Sequence, residues 1–224
     1  MKISNKTLIV ATVITACLIM ALVDAVISPP YAVKSLIKIL LFLGLPLFIS
    51  YRDKSLNTVS LFKFNKKSIC NALLLGMGLY IFIIAAYFII GPYFDMSMVT
   101  KSLESNIGVN KHNFLFVAAY ISLINSLLEE FFFRGFAFIT LKRTSHRRFS
   151  YVFSSLAFAL YHVAIMTNWF GIPLYLLLII SLFIGGIIFN WLNEKYNNIY
   201  SSWLVHMFAN FAINTVGCIL FGMI

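Results

Sequence analysis

Charge is scarce in this chain, and acid is scarcest: seven Asp and Glu against seventeen Lys and Arg in 224 residues, 11% charged overall. Soluble domains carry about 25% charged residues. So little charge leaves no material for a water-facing surface and no room for a separate soluble domain. The net charge of +10 would raise nucleic acid as a partner for a soluble protein. Here the basic residues cluster between apolar runs without an aromatic-and-basic surface pattern, so no nucleic-acid partner is expected. Cysteine is equally sparse. Cys17, Cys70 and Cys218 all fall in apolar stretches; an odd, buried set gives no disulfide framework and reads as small hydrophobes. No internal repeat and no low-complexity segment occurs. Familiar hydrolase signatures are missing too. There is no HExxH helix for zinc, no GxSxG, and no pair of membrane aspartates, since Asp24 is the only aspartate within a span.

What is present is hydrophobicity, at 61% of residues. Apolar runs at about 8–27, 34–50, 69–91, 114–140, 150–168, 172–191 and 200–222 each approach the ~20 residues that a spanning helix needs. The expected fold is an all-α, polytopic membrane helix bundle of about seven to eight spans, forming one membrane-embedded domain over 1–224. The second run is the weakest, carrying Lys38 and Pro46, and a short or re-entrant helix in 93–113 would raise the count to eight. The start, Met1-KISNK before the apolar run, resembles a signal sequence without a small-x-small cleavage site, and reads as an uncleaved first span. The segments 51–68 (Arg52, Lys54, Lys63, Lys66, Lys67) and 141–149 (Lys142, Arg143, Arg147, Arg148) fall on the same side as Lys2 and Lys6 in a seven-span chain. The positive-inside rule then puts the N-terminus in the cytoplasm, and the basic loops against lipid headgroups. The Lys, Asn and Ile richness points to the cytoplasmic membrane of a bacterium. Gly76-x-Gly78 and Gly185-Gly186 read as close-packing points between helices. Trp169, Trp191 and Trp203 lie near span ends, as interfacial anchors do.

Against that background, Glu129, Glu130 and Arg134 sit within one apolar span. Each such group costs roughly 2.5–3.5 kcal/mol on insertion scales, and ionisable residues inside a membrane mark functional sites by default. Glu130 and Arg134 are four apart, share a helix face and can pair. Glu129 is turned about 100° away and has no partner nearby in sequence, which leaves a free carboxylate suited to general-base work. Two intramembrane histidines, His162 and His206, lie on later spans, with Phe158 one turn before His162 and Asn210 one turn after His206. At 1.5 Å per residue, Glu129, His162 and His206 lie roughly 15, 20 and 10 Å from the cytoplasmic helix ends. One depth on three helices is what a shared site requires, and the three should line one cavity open to the cytoplasm.

A carboxylate with a histidine can hold and deprotonate a water, while a histidine and an amide can donate hydrogen bonds to an oxyanion. The same Glu129, His162 and His206 could instead hold a divalent metal such as zinc. A transporter would also use Glu and His, but no inverted repeat supports one.

The ordered set Glu129-Glu130-x-x-x-Arg134, Phe158-x-x-x-His162 and His206-x-x-x-Asn210 resembles the three motifs of the CAAX protease and bacteriocin-processing (CPBP, or Abi) family, intramembrane proteases related to the type II CAAX prenyl endopeptidases. The motifs occupy 129–210. The resemblance implies that Glu129 and His162 activate water, that His206 and Asn210 serve the oxyanion, and that Glu130, Arg134 and Phe158 support them. It implies a multi-spanning all-α fold and a membrane-associated protein or peptide as substrate. It leaves both a metal-independent glutamate mechanism and a metal-dependent one open. The other reading is a non-catalytic membrane immunity or scaffold protein of the bacteriocin self-immunity type.

Overall fold

A computed structural model describes residues 4–56, 58–104, 108–166 and 169–224. Among them the chain is helical throughout, with no strand. Seven helical segments are long and apolar enough to cross a membrane: α1 (Asn5–Ile27), α2 (Tyr31–Arg52), α3 (Lys66–Tyr93), α4 (Phe114–Thr140), α5 (Arg147–Ile165), α6 (Ile172–Tyr196) and α7 (Tyr200–Leu220). The chain is an integral, polytopic helix bundle. In 93–113 the described residues include a short helix, Ser97–Ser102, about 9 Å long at 1.5 Å per residue. Residues 167 and 168, expected to finish the fifth span, and Lys2 lie outside the described residues.

Helix α4 is the central element. From Phe131 to Leu141 every residue is buried, and a helix that is apolar all round belongs in a core. Phe132, Phe133 and Phe136 pack with Phe42 of α2, Phe158 and Tyr161 of α5, and Ile9, Val13 and Ala16 of α1. Phe42 stacks on Phe132 with ring centroids 4.1 Å apart. Lipid gives helices little hydrophobic reason to associate, so small residues and polar contacts hold them together. Ser154 Oγ donates to the Phe133 carbonyl at 2.7 Å, and Asn190 Nδ2 of α6 donates to Ser155 Oγ at 3.1 Å. Beside that contact a Cβ on Gly186 would stand 2.9 Å from Ser155 Cα, so only glycine lets α5 and α6 approach this closely. Gly76 likewise faces Phe208 of α7. The neighbouring Gly78 and Gly185 face open space, so only one glycine of each expected pair packs closely.

One end of the bundle gathers the basic loops. Asn5 Nδ2 donates to Ser55 Oγ, Arg143 Nη1 to the Leu56 carbonyl, and the Ile199 N–H to the Leu61 carbonyl. Lys142, Arg147 and Tyr151 converge on Glu194 at that end. The N-terminal end of α1, the 53–65 segment and the α4–α5 turn therefore share one side, as the seven-span charge pattern requires.

Candidate active site

The winding of α4 changes twice near its charges. Ile121–Asn125 and Glu130–Thr140 adopt the wider i→i−5 winding, which is rare and concentrates at functional sites. Wider turns displace backbone carbonyls, and α7 supplies donors for them. Trp203 Nε1 donates to the Leu123 carbonyl at 3.1 Å and to Ser126 Oγ at 3.1 Å. Asn210 Nδ2 donates to the Ile121 carbonyl at 3.3 Å. Asn214 Nδ2 donates to the Ala118 carbonyl and to Ser122 Oγ. Trp203 thus has a structural bond within the bundle rather than only an interfacial place.

Glu129 is 2% exposed and lies between two separate sets of partners. Its Oε1 accepts from Lys38 Nζ of α2 at 2.5 Å and from Asn125 Nδ2, one turn back on α4, at 3.0 Å. Lys38 Nζ also donates to Asn125 Oδ1 at 2.5 Å, which closes a ring of three side chains. Its Oε2 faces His162 Nε2 at 3.9 Å and His206 Nε2 at 3.7 Å. The expectation of an unpaired carboxylate is therefore overturned: an ammonium 91 residues away in sequence pairs with it. The signal for Lys38 was available, because a lysine inside an apolar span obeys the same rule as the glutamates. The signal for Asn125 was its i, i+4 spacing to Glu129.

The two histidines present the same atom but are backed differently. His162 Nδ1 lies 2.8 Å from the Phe158 carbonyl. A carbonyl only accepts, so Nδ1 carries the hydrogen and Nε2 of the neutral ring offers a lone pair. His206 Nδ1 lies 2.9 Å from Glu130 Oε1. A carboxylate accepts, so Nδ1 carries a hydrogen here too, and Nε2 is turned toward the site, where an imidazolium would donate. The His206 ring packs parallel to Phe189 at 5.5 Å and edge-on to Phe158 at 5.8 Å.

Arg134 is fully buried and pairs with Glu130 as the i, i+4 spacing promised, though without a hydrogen bond. Its Nε is 3.5 Å from Glu130 Oε2, but among the described residues Nε, Nη1, Nη2 and Glu130 Oε2 have no hydrogen-bond partner. The guanidinium instead lies over Phe158, 3.9 Å from the ring centroid, with Phe189 at 5.1 Å. The reason is the winding: in the i→i−5 segment residues four apart no longer stack directly above one another. Glu130 spends its other oxygen on His206. Phe158, expected only as support, touches Arg134, His162 and His206.

The structure thus brings Glu129, His162, His206, Glu130, Arg134 and Phe158 together from α4, α5 and α7. Asn210 lies one turn beyond His206 on α7, its amide nitrogen engaged at Ile121. Of Glu129, His162 and His206, the His162 side chain, 17% exposed, is the most accessible. Two grooves lie elsewhere: one beside Arg148, Val152 and Trp191, the other between α3, α4 and α7 beside Tyr80, Ser122 and Asn214.

The donor set does not fit a divalent metal well. Among the described residues no three His, Cys, Asp or Glu side chains cluster closely enough to hold an ion. The carboxylate in question already carries an ammonium, which would repel a second cation. What the arrangement can do is take a proton at Glu129 Oε2, accept at His162 Nε2 and donate at His206 Nε2, all within one low-dielectric spot.

A carboxylate beside two imidazoles inside a seven-span helix bundle is the arrangement that a membrane-embedded acid–base centre would need. One comparison bears on it. Residues 111–212 match the family model described as type II CAAX prenyl endopeptidase Rce1-like, which bears out the resemblance carried by the motifs and supports an intramembrane endopeptidase of the CAAX type. No curated protein and no solved structure matches the chain.

Proposed function

We propose that this protein hydrolyses a peptide bond of a membrane-associated protein or peptide, with Glu129 and His162 activating the water. The observation that carries the reading is the convergence of Glu129 Oε2 on the Nε2 atoms of His162 and His206, at 3.9 and 3.7 Å. A water between Glu129 Oε2 and His162 Nε2 meets two acceptors. It gives one proton to Glu129 as its oxygen attacks the substrate carbonyl. The carbonyl oxygen becomes an oxyanion. His206, backed by Glu130, donates Nε2–H to it, and the Asn210 amide assists by leaving its long bond to Ile121. Glu129 then passes its proton to the leaving amine, which restores the carboxylate. No step calls on a metal. Arg134 and Phe158 hold Glu130 and both histidine rings in place.

The N-terminus and the basic loops face the cytoplasm in this reading, and water reaches the centre past His162. The substrate is an intramembrane or membrane-anchored chain of the CAAX kind or a bacterial counterpart without a prenyl group.

Glu129→Gln in cells, against wild type at matched expression, tests the proposal. Accumulation of a membrane-associated precursor supports it and names the substrate. A variant identical to wild type, where deletion is not, refutes hydrolysis and leaves a scaffold or self-immunity role for the fold.

A further inference from the structure

Lys38 lies on α2, outside residues 111–212 and outside all three motifs, yet it touches Glu129 directly. Three residues of α2 face the bundle at helical spacing. Lys34 pairs with Asp24 of α1 at 3.5 Å, Lys38 with Glu129, and Phe42 stacks on Phe132. Val33, Leu36 and Leu40 on the same helix are exposed, as lipid-facing residues would be. The helix thus presents one charged and aromatic stripe to the core, with Lys38, 6% exposed, at its centre.

The hydrogens of the Lys38 ammonium are accounted for. Two go to Glu129 Oε1 and Asn125 Oδ1. The remaining side faces the rings of Tyr161 at 4.9 Å and Phe42 at 5.4 Å. With no donor left over for a substrate carbonyl, Lys38 can act on the reaction only through Glu129. Oε1 receives both donors of the Lys38–Asn125 pair, so Oε2 is the carboxylate atom left to accept a proton, and it is the atom that faces the histidines. Around that carboxylate the other charges are spent elsewhere: Lys34 on Asp24, and Arg134 on Glu130 and the Phe158 ring. Among the described residues, His162 and His206 face its Oε2, and Tyr161, Tyr31 and Asp24 are the other titratable groups that interact with its charge.

We propose that Lys38 is a positioning residue of the active site, holding the Glu129 carboxylate ionised and turned so that Oε2 faces His162 and His206. This rests on the protease reading, and it extends the catalytic machinery from the motif-bearing helices to α2. The electrostatic argument is that a carboxylate in a low dielectric takes up a proton unless a cation stands beside it. The geometric one is that a reacting group misplaced by about 1 Å costs on the order of 10²-fold in rate.

The test uses the full chain in lipid vesicles as wild type, Lys38→Met, Lys38→Arg and Glu129→Gln. Infrared difference spectra against Glu129→Gln isolate the Glu129 carboxyl group without any substrate. A carboxylate band is expected in wild type and Lys38→Arg, and the carbonyl band of a protonated acid in Lys38→Met. Cleavage is followed on a quenched peptide ending in a farnesylated Cys-aliphatic-aliphatic-X sequence. Lys38→Met should lower kcat about 10²-fold with KM nearly unchanged, and Lys38→Arg should restore most of it, because geometry and charge both return. Phe42 keeps α2 anchored in these variants, and Lys38→Gln takes the place of Lys38→Met if the latter is not recovered folded. An ionised Glu129 in Lys38→Met overturns the proposal. So does wild-type kcat in that variant, whatever the band shows. If wild type itself leaves the peptide intact, CAAX-type cleavage is what fails, and the infrared arm still decides the role of Lys38.

Discussion

Arg134→Met should unfold this protein far more readily than Glu130→Gln/Arg134→Met does. Arg134 is fully buried, with its nitrogens unbonded among the described residues and its guanidinium on the Phe158 ring. Removing it takes away two things. The first is the cation–π contact, worth about 2 kcal/mol when desolvated. The second is the only cation within ion-pair distance of Glu130 Oε2 among the described residues, so a buried carboxylate is left facing His206 alone. Breaking a buried pair from one side costs about 3–5 kcal/mol, whereas replacing both partners by neutral groups is often close to neutral. Met supplies a chain that fits between Phe158 and Phe189, and Gln keeps an oxygen for His206 Nδ1–H. For a chain of about 150–250 residues 1 kcal/mol moves Tm by about 2–4 °C. Arg134→Met should therefore lower Tm by roughly 10–28 °C, and the double variant should recover at least half of that. Thermal unfolding in one fixed detergent, followed by tryptophan fluorescence, reads this directly. A single variant within about 3 °C of wild type would show that the Glu130–Arg134 contact carries no load. A double variant no better than the single would show that the loss comes from packing on Phe158 rather than from stranded charge.

Four further outcomes follow from the same geometry. Glu129→Gln should lower cleavage by about 10²–10⁴-fold; activity within tenfold of wild type would remove Glu129 as the base. Asn210→Ala should lower kcat by about 10²–10³-fold if its amide serves the oxyanion, and an effect on Tm alone would confine it to the Ile121 carbonyl. Prolonged dialysis against a chelator should leave cleavage unchanged, and loss of activity restored by zinc would establish the metal route instead. Gly186→Val should destabilise by about 1–3 kcal/mol, because its Cβ would meet Ser155 Cα at 2.9 Å; the same change at Gly185, which faces open space, should be tolerated in the same unfolding assay.

By itself the sequence determined the class, seven apolar spans and most of the polar residues that meet within them. Charge scarcity and seven apolar runs are one-dimensional quantities, and hydrocarbon thickness converts them into seven helices without knowledge of how those helices pack. Glu129, His162 and His206 were legible for a related reason: a polar group in an apolar span is conspicuous wherever it points. What only the tertiary structure decided is which polar group meets which. Lys38 stood out as a blemish in a weak span, and its pairing with Glu129 depends on how α2 packs against α4, which no local spacing contains. The Glu130–Arg134 pair was inferred from ordinary helical spacing and forms, but α4 winds more widely there, so Arg134 settles on Phe158 and Glu130 turns to His206. Asn210, read as facing the reaction, is held at the Ile121 carbonyl of the same helix bundle. Each of these outcomes turns on backbone winding and helix contact, which bring together residues up to 91 positions apart. Periodicity along one helix reports only which face a residue occupies, not what stands opposite it.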